Sequence, residues 1–160
     1  MGKINYGRVI LGGIVGGIVA GTLDWLFNGF VLGQLWADTM KSLNRPNAFS
    51  GPAFLPFGVY LPFIVGGILL IWVYAGIRPR FGAGVRTAVY AGLIAWAFAV
   101  LLPNMSWYVT GNVSGRLILF NTLFGIVGTV AGAIVGAALY KEEESTADYP
   151  AAAGARQATR

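Results

Sequence analysis

Four long apolar stretches alternate with polar or turn-forming residues along the chain. They cover about residues 9–31, 54–77, 85–102 and 117–140. A membrane-spanning helix needs about 20 mostly apolar residues, and each stretch meets that length or comes close to it. The pattern therefore predicts an all-α membrane protein in which residues 1–140 form a four-transmembrane-helix bundle.

Prolines mark two points within this pattern. Pro62 is expected to kink the second span and Pro103 to end the third, because proline lacks a backbone donor and its ring clashes with the preceding turn. The segment RPRFGAGVR, residues 78–86, is predicted to be the short loop between the second and third spans.

The longest connection, residues 33–52, allows two interpretations. Leu35, Trp36, Thr39, Met40 and Leu43 recur at helical spacing, which fits a short helix on the membrane surface. An irregular ordered loop is the alternative, and the sequence favours neither.

Lysine and arginine residues are unevenly distributed between the two sides of the predicted bundle. The side with both termini holds eight of them: Lys3, Arg8, Arg78, Arg80, Arg86, Lys141, Arg156 and Arg160. The other side holds Lys41, Arg45 and Arg116. Cytoplasmic loops carry the excess of positive charge, so both termini are expected in the cytoplasm, and the polar residues 141–160 are expected to form a disordered cytoplasmic tail.

Composition excludes most enzyme chemistry. The chain is 56% hydrophobic and 11% charged, without histidine or cysteine, whereas soluble domains carry about 25% charged residues. The usual general base, thiolate nucleophiles and the common zinc ligands are therefore missing, and we expect no catalytic residue, metal site or cofactor. The net charge of +5 comes from residues at span ends, so we expect contact with the lipid bilayer and not with nucleic acid.

Glycines at GxxxG spacing form a predicted helix-packing seam between the first and fourth spans. Small residues at this spacing let two helix backbones approach closely in lipid. On the first span they are Gly13, Gly17 and Gly21, widened by Gly12 and Gly16; on the fourth they are Gly125, Gly128, Gly132 and Gly136. At a rise of about 1.5 Å per residue, an antiparallel pairing matches 13 with 136, 17 with 132 and 21 with 128.

An intramembrane polar cluster follows on the same predicted face. Asp24 lies three residues beyond Gly21, and Asn28 lies four beyond Asp24. The depth count places Asp24 opposite Gly125 and Asn28 opposite Asn121. A carboxylate at the bilayer centre costs about 2.5–3.5 kcal/mol on insertion scales, so Asp24 is expected to face protein and to hydrogen-bond these two amides.

Two functional interpretations stay open beside this structural one, the first for residues within the spans and the second for the loop between spans 2 and 3. Trp25 and Trp96 would line a pocket with Asp24 for a cationic ligand, although aromatic residues in spans more often serve packing. The cytoplasmic arginines Arg78, Arg80 and Arg86 would bind an anionic headgroup or an acidic partner, although the sequence favours a tight Pro/Gly turn with topogenic charges.

The segments WVYAGIRPRFGAGVRTAVYAGLIAW, FNGFVLGQLWADTM and GAALYKEEE resemble those of small uncharacterised bacterial four-span membrane proteins with an IRPRFG loop between the second and third helices. The resemblance covers roughly residues 8–141 and implies a multi-pass protein of the bacterial inner membrane. It implies no activity.

Two functions follow as hypotheses. The first is an integral membrane protein without catalytic chemistry that serves as an accessory or structural subunit of a larger membrane complex or homo-oligomer. The alternative is a small proton-coupled solute transporter using Asp24, because one acidic residue in the first of four spans resembles the small multidrug exporters, although here it lies nearer the outer face.

Overall fold

The computed structural model describes residues 3–142, and this part of the chain is built from helices. Four helices are long and apolar enough to cross a membrane, which confirms the predicted number of spans. We name them span 1 (Tyr6–Val31), span 2 (Phe54–Phe81), span 3 (Val85–Thr110) and span 4 (Gly115–Leu139). The predicted disordered tail, including Arg156 and Arg160, lies outside the described residues apart from Lys141 and Glu142.

Three of the spans contain a π-helical turn. Span 1 consists of α1 (Tyr6–Leu26) and a π-helical turn (Phe27–Val31), and α2 (Gly33–Ser42) follows it. Span 2 consists of a π-helical turn (Phe54–Tyr60) and α3 (Leu61–Phe81). Span 3 consists of α4 (Val85–Trp96), a π-helical turn (Ala97–Leu101) and α5 (Leu102–Thr110), and span 4 is α6 (Gly115–Leu139). Of the two interpretations of residues 33–52, the short helix is therefore observed.

Capping residues explain why two spans begin earlier than predicted. The Asn5 side chain accepts a hydrogen bond from the backbone N–H of Arg8 at 3.0 Å, so α1 begins at Tyr6. Ser114 accepts one from Leu117 at 3.2 Å, so α6 begins at Gly115. Both satisfy backbone donors that the first helical turn leaves free.

The prediction that Pro103 ends span 3 is wrong. Pro103 occupies the first turn of α5, directly after the π-helical turn Ala97–Leu101. A proline is tolerated where its missing N–H needs no partner, and the wider turn before it provides such a position. Span 3 therefore continues to Thr110, where Gly111 in the left-handed conformation, with φ of 67°, ends it.

The predicted loop 78–86 is also much shorter in the structure. Helix α3 continues through Pro79 to Phe81 and stops at Gly82, whose φ of 85° favours glycine. Arg78 and Arg80 therefore lie in the last turn of α3, and Arg86 lies in the first turn of α4.

Helix α1 is the central element of the bundle, because it packs against both α3 and α6. Its buried positions, apart from Val9, are all glycine or alanine. Helix α4 packs against α6 and also contacts α3. We call the side with residues 3–5, 82–84 and 140–142 the terminus side, and the side with residues 32–53 and 111–114 the loop side.

The contact between α1 and α6 is formed backbone to backbone. A Cβ atom built at Gly16 would lie 2.5 Å from the carbonyl oxygen of Gly132, and one at Gly132 would lie 2.6 Å from that of Gly16. Gly12 and Gly136 repeat this reciprocal contact at 2.5 and 2.6 Å. Real Cβ atoms do not approach other atoms so closely, so these positions require glycine.

A second glycine face on α1 contacts span 2, which corrects the predicted pairing. A Cβ at Gly13 would lie 2.6 Å from the backbone nitrogen of Ile68, and one at Gly21 would lie 3.1 Å from the Cβ of Phe63. Gly17 meets the Phe63 carbonyl, and span 2 contributes Gly67, whose Cβ would lie 2.8 Å from the Gly17 nitrogen. The prediction that Gly13, Gly17 and Gly21 contact span 4 is therefore wrong.

The fourth-span glycines likewise divide between two neighbours. Gly128, Gly132 and Gly136 face α1, with a Cβ at Gly128 reaching ordinary contact, 3.5 Å from the Ala20 carbonyl oxygen. Gly125 faces span 3 instead, where its Cβ would lie 2.9 Å from a Val100 methyl carbon. The predicted contact between Gly125 and the first span is therefore wrong as well.

Adjacent glycines in α3 give a matched test of this close approach. Gly67→Ala places a methyl group against the backbone of α1, and we expect it to destabilise the bundle by about 1–3 kcal/mol, the usual cost of overpacking. Gly66→Ala meets no atom within 4 Å and is expected to be neutral or to stabilise by up to about 1 kcal/mol. Thermal unfolding of the two purified variants in the same detergent measures both effects. Equal midpoints for the two variants would contradict the described contact.

Candidate functional site

Polar side chains from three spans form a continuous hydrogen-bonded chain on the loop side of the bundle. Asn104 donates to Asn121 Oδ1 at 2.9 Å, Asn121 donates to Asn28 Oδ1 at 2.9 Å, and Asn28 donates to Asp24 Oδ1 at 3.1 Å. We call these four residues the polar chain. It links α5, α6 and span 1 in a region surrounded by apolar side chains.

All three amides of the polar chain donate in the same direction, toward the Asp24 carboxylate. Hydrogen bonds aligned in this way polarise one another, and the series ends at Asp24 Oδ1, which accepts the last of them. At the other end, Asn104 also donates to Thr122 Oγ1 at 2.8 Å, and Thr122 donates to the Ile118 carbonyl at 2.7 Å.

Helix α2 is attached to the polar chain through one tryptophan. The indole N–H of Trp36 donates to Asn28 Oδ1 at 2.7 Å, so this oxygen accepts two hydrogen bonds and both of its lone pairs are used. The Trp36 ring also packs edge-on against the Phe49 ring, with ring centroids 5.4 Å apart. The connection between spans 1 and 2 is therefore held over the loop-side end of the bundle.

The predicted polar cluster is partly reproduced by the geometry. Asn28 and Asn121 are in direct contact, as their matched depths indicated. Asp24, however, continues the face of Gly13, Gly17 and Gly21, so it turns toward span 2 and not toward Gly125. Its only side-chain hydrogen bond within the described residues is the one from Asn28.

Asp24 lines a cavity that begins where the glycine contacts end. Above Gly21 and Phe63, span 1, α2, the connection after α2 and span 2 border an open-sided cavity of about 550 Å³, which we call the Asp24 cavity. Five aromatic side chains line it: Trp25, Trp36, Phe49, Phe54 and Phe63. Asn28, Asn121, Ser50, Met40, Pro46 and Val59 are also among its lining residues.

Of the two tryptophans considered with Asp24, only Trp25 lines this cavity. The Trp96 indole donates to the Thr122 carbonyl at 2.8 Å, so it joins spans 3 and 4 on another side of α6. The structure therefore does not place Trp96 with Asp24, and the Trp96 ring serves helix packing, which the sequence favoured.

The three arginines of the predicted basic loop lie in different surroundings. Arg78 lies 3.5 Å from the Glu142 carboxylate and 5.4 Å from the Tyr140 ring centroid. Burial raises the pKa of the Tyr140 hydroxyl, so this ring stays neutral beside the guanidinium. Arg86 donates to the Tyr90 hydroxyl at 2.8 Å, and Arg80 is exposed. The three guanidinium groups thus do not form a common anion site in the described structure.

Two members of the site, Asn104 and Trp36, were not predicted from the sequence to join the polar residues around Asp24. Asn104 was placed beyond the expected end of span 3, and Trp36 was expected only at the membrane boundary. For Trp36, the available signal was its helical spacing with Thr39 and Met40, which predicted a short helix in this connection. Comparisons of the chain with protein-family models, curated proteins and solved structures found no match.

The indole hydrogen bond of Trp36 can be removed without removing its ring. Trp36→Phe is expected to cost about 0.5–1.5 kcal/mol, the usual value of one hydrogen bond, and to loosen α2 specifically. Hydrogen–deuterium exchange should become faster at the amides of residues 36–45 and stay unchanged in α6. Trp107→Phe is the control, because the Trp107 indole is half-exposed and donates to no described residue. Unchanged exchange in α2 would show that the Trp36–Asn28 contact does not hold this helix.

Proposed function

We propose that this chain is a multi-pass membrane protein without catalytic chemistry that serves as an accessory or structural subunit of a larger membrane complex. The observation that supports this most strongly is the fixed position of α1. On one face its backbone contacts Gly132 and Gly136 of α6, and on the other it contacts Gly67 of α3. Such contacts favour a rigid scaffold.

Transport requires one part of a bundle to move against another around a binding site. Here α1 cannot tilt away from α3 or α6 without separating carbonyl groups and glycine backbones that are in direct contact. In the terminus-side half of α1, these two faces are in direct contact with α6 and α3. A moving-helix mechanism is therefore less compatible with this geometry than a static role.

The second candidate function is a small proton-coupled transporter that uses Asp24. One observation favours it: the carboxylate lines the Asp24 cavity and is not sealed between helices. This mechanism would need a path from the cavity to the terminus side, past Gly17 and Gly21, which contact Phe63.

We further propose that both termini face the cytoplasm of a bacterium and that the bundle lies in its inner membrane. The excess of lysine and arginine on the terminus side supports this orientation. The resemblance to small bacterial four-span proteins supports the location.

The subunit proposal predicts a stoichiometric partner. Gentle purification of the tagged full chain from its native membrane, followed by native mass spectrometry, should recover a second protein in a fixed ratio to this chain. An unrelated four-span protein with the same tag controls for nonspecific recovery.

The glycine variants of α3 make this test specific to the folded bundle. Gly66→Ala should retain the partner, and Gly67→Ala should lose it in proportion to its loss of stability. Recovery of this chain alone, as a monomer or a homodimer, would contradict the proposal and favour the transporter, for which loss of solute-dependent proton uptake in a folded Asp24→Asn variant is the direct test.

The proposed orientation can be measured with single cysteines, because the chain has none of its own. Ala83 and Asn112 are both exposed, on the terminus side and the loop side respectively. In intact cells with a permeabilised outer membrane, an impermeant maleimide should label the Asn112→Cys variant. The Ala83→Cys variant should react only after the inner membrane is opened. The reverse pattern would show that the termini face outward.

A further inference from the structure

We propose that the Asp24 cavity binds the ammonium group of an amphiphilic cation, with the Asp24 carboxylate as its counter-charge. The proposal depends on the geometry of the cavity alone and holds whether or not the chain is a subunit of a complex. Three features carry it: a free carboxylate oxygen, aromatic walls and the depth of the cavity.

The Asp24 carboxylate has one oxygen available for a ligand. Oδ1 accepts the hydrogen bond from Asn28 at 3.1 Å. Oδ2 accepts none from the residues that the structure describes, and it is not among their buried unpaired atoms. Because Asp24 lines the cavity, this oxygen is open to a ligand within it.

Among residues 3–142, no lysine or arginine lines the Asp24 cavity. Arg45 lines the adjoining pocket, which shares Trp36 and Phe49 with the cavity, and the ion pair found in this range, Arg78–Glu142, lies on the terminus side. A charge in a low-dielectric region interacts strongly with an opposite charge. The site therefore selects for a cation brought in from outside.

The walls of the cavity suit an organic cation better than a metal ion. Phe49 is in contact with both Trp36 and Phe54, with ring centroids 5.4 and 5.3 Å apart, so these three rings form a continuous aromatic wall. Trp25 and Phe63 add two further rings. Aromatic faces attract ammonium groups through the cation–π interaction, whereas a hard metal ion needs several oxygen ligands.

Size and depth indicate an amphiphile. A cavity of about 550 Å³ is within the usual range for small-molecule sites and holds an ammonium group with several attached carbons. Asp24 lies seven residues before the loop-side end of span 1, or roughly 10 Å along the helix. An ammonium group at this depth has headgroup chemistry above it and hydrocarbon beside it. Two sources share this chemistry: a free amphiphilic amine and a phospholipid with an ammonium headgroup.

The test is a binding titration of the purified full chain in nanodiscs of phosphatidylglycerol. The probe is dodecyltrimethylammonium, compared with a neutral analogue in which carbon replaces the ammonium nitrogen. Binding is followed by tryptophan fluorescence, because Trp25 and Trp36 line the cavity. The cation should saturate at a concentration at least tenfold below that of the neutral analogue. Equal affinities would overturn the proposal without any variant.

Two asparagine variants locate the binding. Asp24→Asn preserves shape and the acceptor for Asn28, and it should weaken cation binding at least tenfold at unchanged thermal stability. Asp38→Asn removes the same charge from an exposed position on α2 outside the cavity and should bind as the original chain does. Wild-type affinity in a folded Asp24→Asn variant, or equal losses in both variants, would contradict the proposal.

Nanodiscs that contain phosphatidylethanolamine distinguish the two sources. Weaker probe binding there, with phosphatidylethanolamine retained by the protein in native mass spectrometry, assigns the site to a lipid headgroup. Unchanged probe affinity assigns it to a free amine. Either result supports an ammonium site, whereas failure of the cation to bind in both membranes would overturn it.

Discussion

Close backbone contact at glycine, on two faces of one helix, is the constraint from which the rest of this structure follows. Helix α1 presents Gly12 and Gly16 to α6, and it presents Gly13 and Gly17 to α3. Neighbouring residues on a helix are separated by about 100°, so each pair of adjacent glycines serves two partners at once. In lipid, where burial from water no longer drives helix association, these contacts bring three spans together.

The end of the glycine contacts determines where the polar residues are placed. Gly21 still touches Phe63, but Asp24, one turn further, follows the same face into the Asp24 cavity. Beyond it, Asn28 bridges to Asn121 and receives the indole hydrogen bond of Trp36. The loop-side half of span 1 therefore has polar partners and open space, whereas the terminus-side half is closely packed, with direct backbone contact at its glycines. This division gives the molecule a closed half and a half with a cavity.

The sequence was sufficient for the number of spans and for the Asn28–Asn121 contact, because apolar length and helical rise determine both. It was not sufficient for the rotation of α1. Gly12, Gly13, Gly16 and Gly17 form one wide strip on a helical projection, and no pattern in the sequence indicates that this strip contacts two different helices. Gly67 in α3 was not predicted because no glycine lies four residues before or after it. Asn104 was missed because Pro103 was expected to stop span 3, whereas a π-helical turn accommodates it.

The central claim is that α1 is held on two faces, and adjacent alanine substitutions test it most directly. Thermal unfolding midpoints are measured for Gly16→Ala, which faces α6, and Gly17→Ala, which faces α3, with the exposed Gly7→Ala as control. The account predicts that both internal variants lose stability and that the Gly7 variant does not. A loss at only one of the two adjacent positions would show that α1 has a single glycine face and would contradict the account.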